Sequence, residues 1–168
     1  MEFTVNPERR DPYKRFRFRV KWDGRYVAGV SRVSGLRRTT DVVVHRDGAD
    51  PNQQRRSPGL TTWEPITLER GRTHDPEFER WAALVHGVST GGVALAGFRK
   101  DIALDLFNEA GQKVMSFLVY RCWPSEYAAL GPMDARASET VFETLVLQHE
   151  GWERDEAVTE PVEPKSLE

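Results

Sequence analysis

The stretch "RFRFRVKWDG", residues 15–24, decides the fold. Phe16, Phe18, Val20 and Trp22 occupy every second position, and Arg15, Arg17, Arg19 and Lys21 fill the positions between them. Side chains of a strand point alternately to its two faces, so this spacing makes one apolar face and one cationic face. A helix would scatter both sets around its whole circumference. Asp23-Gly24 then provides the residue pair that a tight primed hairpin turn requires. The segment is a half-buried strand, and the rest of the chain has to supply its partners.

Working outward, "RYVAGVSRV" (25–33) is the returning strand, with Gly29 marking a bulge or a close backbone approach. "LRRTTDVVVHR" (36–46) is a further long strand. Residues 47–59, "DGADPNQQRRSPG", are turn formers and polar residues without a large apolar side chain, and are expected to be a loop. "LTTWEPITLERG" (60–71) returns as a strand anchored by Trp63, Ile66 and Leu68; Pro65 has no N–H to donate, so the strand should lie at an edge or bend there. One segment follows another period. In "HDPEFERWAALVHGV" (74–88) Asp75 can cap a helix, Pro76 can open it, and Phe78, Trp81, Ala82 and Val85 form one apolar stripe. Gly87 is expected to end it, giving one helix over about 74–87.

Ile102, Leu104 and Leu106 alternate in the next strand, Asn108 to Gly111 make a turn, and Val114 to Trp123 return. A Pro- and Gly-bearing loop over 124–137 leads to a last strand in "SETVFETLVLQHEGW" (138–152). The expected organisation is an N-terminal arm (1–14), a β domain (15–152) and an acidic, disordered tail (153–168). No repeat of fixed period occurs.

A chain of 168 residues makes one domain, and its 39% hydrophobic content suits a thin fold or one that completes its core by self-association. Cys122 is the only cysteine, which excludes an intrachain disulfide and a thiolate zinc site. No signal-like or membrane-length apolar run is present, and the expected setting is a reducing cytoplasm. Residues 1–72 hold 16 Arg/Lys against 9 Asp/Glu, whereas the segment from Trp152 holds six acids against two bases. Alternating charges on exposed strand faces account for the basic excess as well as a nucleic-acid surface would, and no Arg/Lys block or basic helix concentrates it.

Candidate chemistry is sparse. His149-Glu150 with Glu153 differs by one residue from the His-Glu-x-x-His zinc signature, but that signature needs a helix to bring its two histidines to one side. Here the alternating context is a strand, and the second histidine is missing. Glu139 and Glu143 share a strand face and could form a carboxylate pair; ion pairing with arginines of a neighbouring strand is the ordinary outcome. Cys122 lies in an apolar strand with no framed histidine, and His45, His74 and His86 fall in no motif. The glycines of "HGVSTGGVALAG" follow a helix and do not form a phosphate loop. No catalytic, metal or cofactor-binding residue is assigned. The alternative function is a small β-barrel enzyme or ligand-binding protein using Glu139, Glu143 and His149.

The ordered string "DPYKRFRFRVKWDG…VAGVSRVSGL" (11–36), "SPGLTTWEPITLERGRT" (57–73), "LDLFNEAGQKVMSFLVYRCWPSEY" (104–127) and "ETVFETLVLQHEGWER" (139–154) resembles the tail tube protein family. These are the inner-tube subunits of contractile phage tails and of phage-derived contractile injection systems. The resemblance implies a mainly β fold: a small antiparallel β-barrel or two-sheet sandwich with one flanking α-helix. It implies a structural role without cofactor, in which six copies form a ring and rings stack into a hollow tube inside a contractile sheath. Implied partners are the chain itself, the sheath protein, baseplate, hub and tube-capping proteins, and cargo in the lumen; nucleic acid enters only if a phage genome passes through. Membrane insertion is not implied. The 45–60 segment is more cationic than the family's usual one, and "GPMDARASE" replaces its usual lead into the last strand, so a baseplate-end tube initiator is the alternative within the family. Candidate interface residues are Asp11, Pro12 and Tyr13 in the arm, then His45, Arg46, Arg55, Arg56, Pro58, Trp63, Trp123, Tyr127 and Arg136.

Overall fold

A computed structural model of the chain describes residues 17–46, 48, 52–89 and 97–162. In order they form β1 (Phe18–Trp22), β2 (Arg25–Tyr26), β3 (Val30–Val33), β4 (Arg38–Arg46), β5 (Gln54–Trp63), β6 (Ile66–Gly71), α1 (Glu77–Ser89), β7 (Lys100–Phe107), β8 (Lys113–Ala128), β9 (Phe142–Gln148) and β10 (Gly151–Arg154). The main sheet runs β2-β1-β7-β8-β9-β6-β3, and β10 also pairs with β8. The pairings are antiparallel.

The two ends of that path, β2 and β3, are consecutive in sequence. Tyr26 and Val30 are four steps apart and cannot be separated by more than about 14 Å. A flat sheet of seven strands would hold its outer strands about 29 Å apart. The sheet therefore curls on itself into a barrel-like shell that stays open along the β2/β3 seam. The expected continuous strand over 25–33 is accordingly two strands, split where Gly29 takes a positive φ of 77°.

β8 is the spine. Its first half pairs with β7 on one side and β10 on the other, and its second half pairs with β9. Arg121, at φ 53°, and a register shift after Pro124 bend it between the two halves. The sequence reading ended this strand at Trp123; Pro124 instead stays in the ladder opposite Leu147, because the bulge spares it from donating an N–H. The same logic carries the last strand past its expected end. Trp123 faces Gln148, Tyr120 faces Gly151 and Phe117 faces Arg154, one register broken only at His149-Glu150. Glu153 and Arg154, expected to open a free tail, are thus paired in β10. Beyond them Asp155 N–H donates to Ser116 C=O (2.9 Å), and Gln112 Nε2 donates to Val162 C=O (3.3 Å).

Val20, Trp22, Ile66, Leu68, Ile102, Leu104, Val119, Leu145 and Leu147 fill the inner face, all on alternate strand positions. α1 closes the core with Phe78 and Trp81, whose rings meet Trp22 at 5.9 and 4.9 Å. Burying a side chain such as Phe78 contributes roughly 1.5–3 kcal/mol. Both indoles satisfy their N–H: Trp22 on Glu77 Oε1 (2.8 Å) and Trp81 on Phe98 C=O (2.7 Å). Asp75 caps the helix through Oδ1 and the Glu77 N–H (3.0 Å), with Pro76 at the first helical position. Gly87 does not take a positive φ, so the helix runs through it to Ser89.

β3–β4 and β5–β6 are two arms of one long hairpin. Val33 faces Leu68 and Arg38 faces Trp63, and the ladder continues to Arg46 opposite Gln54. Glu64 N–H to Arg37 C=O (3.1 Å) and Thr67 N–H to Ser34 Oγ (2.9 Å) carry it across the junction. The inner half lies in the main sheet; the outer half, β4 with β5, is a sheet of its own about 27 Å long. Residues 54–59, expected to be loop, are strand, since β4 supplies the hydrogen bonds that polar composition cannot reveal. Pro65 marks the bend between the halves, and β6 beyond it is central.

Candidate assembly surfaces

Glu143, the residue with the best claim to chemistry, is fully buried (0% exposed). Its Oε1 accepts from Arg70 Nε at 2.5 Å, and its Oε2 accepts from Arg72 Nη1 at 2.6 Å and from Tyr127 OH at 3.0 Å. Arg70, 1% exposed, spends its other nitrogens on Asp75 Oδ2 (3.0 Å) and Asp75 C=O (2.7 Å), and stacks on Phe78 at 4.2 Å. One carboxylate thereby ties β9 to β6 and, through Arg70, to the helix cap. Its lone pairs are taken by protein donors, and no substrate could reach it. The expected pairing with arginines of a neighbouring strand is what the structure shows.

The other members of the rival set lie elsewhere. Glu139 is exposed, in the loop ahead of β9 and not on the strand face of Glu143. His149 Nε2 donates to Glu64 C=O (2.8 Å) beneath the Trp63 ring. Among the described residues no group of three or more His, Cys, Asp or Glu could hold a metal. Burial pushes the Cys122 thiol up to about 12, and its Sγ faces Val119 C=O at 3.6 Å, so it is an inert core thiol.

What the fold presents instead is surface. At the root of the outer hairpin Trp63 packs edge-on to Trp152 (5.6 Å), which meets Phe117 at 6.0 Å, and the Arg38 guanidinium lies 5.7 Å from both indoles. Gly151, at φ 144°, lets the Trp63 ring close over the β9–β10 break; a Cβ there would sit 3.4 Å from the ring. Beyond this root the hairpin has no covering layer among the described residues. Val42 is 62% exposed, Val43 40%, Val44 50% and Leu60 73%. At the opposite end of β6 and β9 the 129–141 loop exposes Leu130 (54%) and Met133 (70%) beside Phe142 (43%), with Gly131 N–H bonded to Phe142 C=O (3.1 Å).

Of the interface candidates, His45, Arg46, Arg55, Arg56 and Pro58 are brought together on the outer hairpin, with His45 opposite Arg55 and Pro58 opposite Val42. Trp63 is half-buried and packs in the root cluster, and Tyr127 is half-buried and hydrogen-bonds Glu143. Trp123 is half-buried opposite Gln148, and Arg136 is exposed on the 129–141 loop. Asp11, Pro12 and Tyr13 lie outside the described residues. The exposed apolar groups Val42, Val44, Leu130, Met133 and Phe142 were missed. Their residue types read as core, and among the described residues nothing covers them.

The polar clusters described above are satisfied within the fold, and among the described residues two apolar ends lie exposed. The chain matches the family described as "T4-like virus tail tube protein gp19" over residues 14–153, and belongs to it. It is a tube subunit and not an enzyme. Solved structures that share the fold include three parts of contractile particles. A chain of the sheath-tube complex of an extracellular contractile injection system, PVC, in its extended state superposes with a TM-score of 0.70 at 23% identity, covering 86% of this chain and 91% of that one. A chain of the anti-feeding prophage tube-terminating cap gives 0.72 at 22% identity, covering 91% and 99%. A chain of the anti-feeding prophage baseplate gives 0.70 at 19%, covering 86% and 95%. No curated protein matches the sequence. Among the described residues no helix is long and apolar enough to cross a membrane.

Proposed function

We propose that this protein is the repeating subunit of the inner tube of a contractile injection system or phage tail. Six copies close into a ring, rings stack into a hollow tube, and contraction of a surrounding sheath drives that tube through a target envelope. The observation that carries this reading is the outer hairpin: about 27 Å of paired strand with exposed valines on both faces, in a chain of the tail tube family. An isolated two-stranded hairpin is marginal in water, so a partner surface has to complete it. Ring formation uses head-to-tail contacts, which close by rotation and can continue along the axis by stacking. The arm at 1–14 and the 129–141 loop serve as further contact segments. Sheath, baseplate and capping proteins are the partners that this role requires, and the particle assembles in the cytoplasm of the producing cell.

Purified protein should appear in negative stain as rings or stacked tubes, and light scattering should give a mass near six subunits or a multiple of it. A strictly monomeric species at high concentration, without co-assembly on sheath or baseplate, overturns the proposal.

A further inference from the structure

We propose that Asp75 and Glu77, at the start of α1, form a clasp that holds the β2/β3 seam together, and that salt opens its β2 half. This device belongs to the subunit itself and stands whether or not copies assemble. The strand order ends on β2 at one side and on β3 at the other, so no ladder joins the two lips. The two acids stand two residues apart and reach opposite lips. Glu77 Oε1 accepts from Trp22 Nε1 and its Oε2 from Arg25 Nη2, both at 2.8 Å. Trp22 and Arg25 are cross-strand partners in β1 and β2, so this grip belongs to the β2 lip. Asp75 Oδ2 accepts from Arg70 Nη1 at 3.0 Å, and Asp75 C=O from Arg70 Nη2 at 2.7 Å. Arg70 faces Val30 in the β3–β6 ladder, so this second grip belongs to the β3 lip. The Glu77 N–H donates to Asp75 Oδ1 at 3.0 Å, which joins the two grips into one unit. Arg70 Nη1 also donates to Ala28 C=O at 3.5 Å, inside the segment that crosses the gap.

The halves differ in strength. Arg70 is 1% exposed and also donates to Glu143, and a buried charge gives up an acceptor only at a large cost. Arg25 is 67% exposed, and an ion pair open to solvent is weak and screened by salt. Trp22, 1% exposed, keeps Glu77 in place when Arg25 lets go. Tyr26 OH, donating to Asp105 Oδ2 at 2.6 Å, keeps β2 on its own sheet. Loss of the Arg25–Glu77 pair therefore lets the lips part while sheet, helix cap and core stay intact.

Hydrogen exchange on the full chain tests this by reading the lip opposite the change. Arg25→Ala, at an exposed position, should speed exchange of the β3 amides by about threefold and leave β7, β8 and β9 unchanged. In the unaltered protein, sodium chloride at about 1 M should speed the same amides by a similar factor, with no further effect in Arg25→Ala. Glu77→Ala also strands the Trp22 N–H and should speed them by about tenfold or more. Unchanged β3 exchange in Arg25→Ala, or acceleration that extends equally to β7, β8 and β9, overturns the clasp. Acceleration confined to the helix in Glu77→Ala overturns it too, because the acid would then serve the helix end alone. An equal salt response with and without Arg25 overturns the salt-opened half.

Discussion

Glu143 illustrates how a residue with the look of a catalytic group becomes structural. Two arginines and a tyrosine hold a carboxylate that is cut off from solvent. Removing one partner of such a buried set leaves a charge without compensation, at a cost of about 3–5 kcal/mol. Glu143→Ala should therefore lower the thermal midpoint by roughly 6–20 °C, with Arg70→Ala close behind, as read by circular dichroism. The enzyme alternative predicts unchanged stability and a lost activity, so an unshifted midpoint would argue against the structural assignment. Gly151 offers a second residue-scale test. At φ 144°, Gly151→Ala adds backbone strain of about 1–3 kcal/mol beside the Trp63 ring, which its Cβ would touch at ordinary contact distance. A lower midpoint with a changed near-ultraviolet signal from Trp63 and Trp152 is expected; wild-type values for both would refute it. Cys122 gives a pH test. Its folded pKa of about 12 lies above its ordinary value of 9.0, so its stabilising contribution is full below pH 9 and is lost as pH rises toward 12. Tyr127, raised chiefly by burial, and Tyr26, raised chiefly by its hydrogen bond to Asp105, act in the same direction at higher pH. Stability measured by urea midpoint should fall from pH 9 upward, and a flat profile to pH 11 would contradict this.

The outer hairpin is the element on which the proposed assembly turns. Replacing Val42, Val43 and Val44 by Ser removes its apolar surface without touching the core. Monomer stability should change by less than about 1 kcal/mol, since exposed positions contribute little to the fold, while the population of rings or tubes collapses. Size-exclusion chromatography with multi-angle scattering separates the two effects, and assembly that persists would refute the hairpin's role. The strands of this hairpin were only half legible in the sequence. β4 was legible from its valine run, Val42-Val43-Val44, and β1 from its period of two, because both are local properties. β5 was hidden from Gln54 to Gly59, because a polar strand beside a valine-rich one has no period of its own to show. Its hydrogen bonds belong to the pair. Helix α1 was legible for the opposite reason: cap, first-turn proline and apolar stripe are all contained in its own residues.

For the whole molecule, the antiparallel class and single helix could be read from the sequence, but the order of strands could not. Nothing near Gly29 says that β2 and β3 belong to opposite ends of one sheet; that follows from which distant strands they meet. The candidate assembly surfaces were illegible for a related reason. Leu130 and Phe142 have core-type side chains, and their exposure depends on the bend of β8 and the span of the loop between them. The ion-pair ladder Glu143–Arg70–Asp75 was half visible: the sequence suggested arginine partners and gave no hint that one of them also reaches the helix cap.

The β2/β3 seam has a mechanical consequence. A barrel closed by hydrogen bonds all round has one radius, set by its strand count and stagger. Here the circumference is interrupted where no ladder spans the gap, and a covalent strap of Val27, Ala28 and Gly29 limits how far it can widen. Such a shell behaves as a split spring collar, compliant in girth and stiff along its strands. Hydrogen exchange should show it, with β2 and β3 amides exchanging well before those of β7, β8 and β9; uniform protection would mean a rigid cylinder. A subunit with that compliance can adjust its curvature to its neighbours without breaking a single strand pairing.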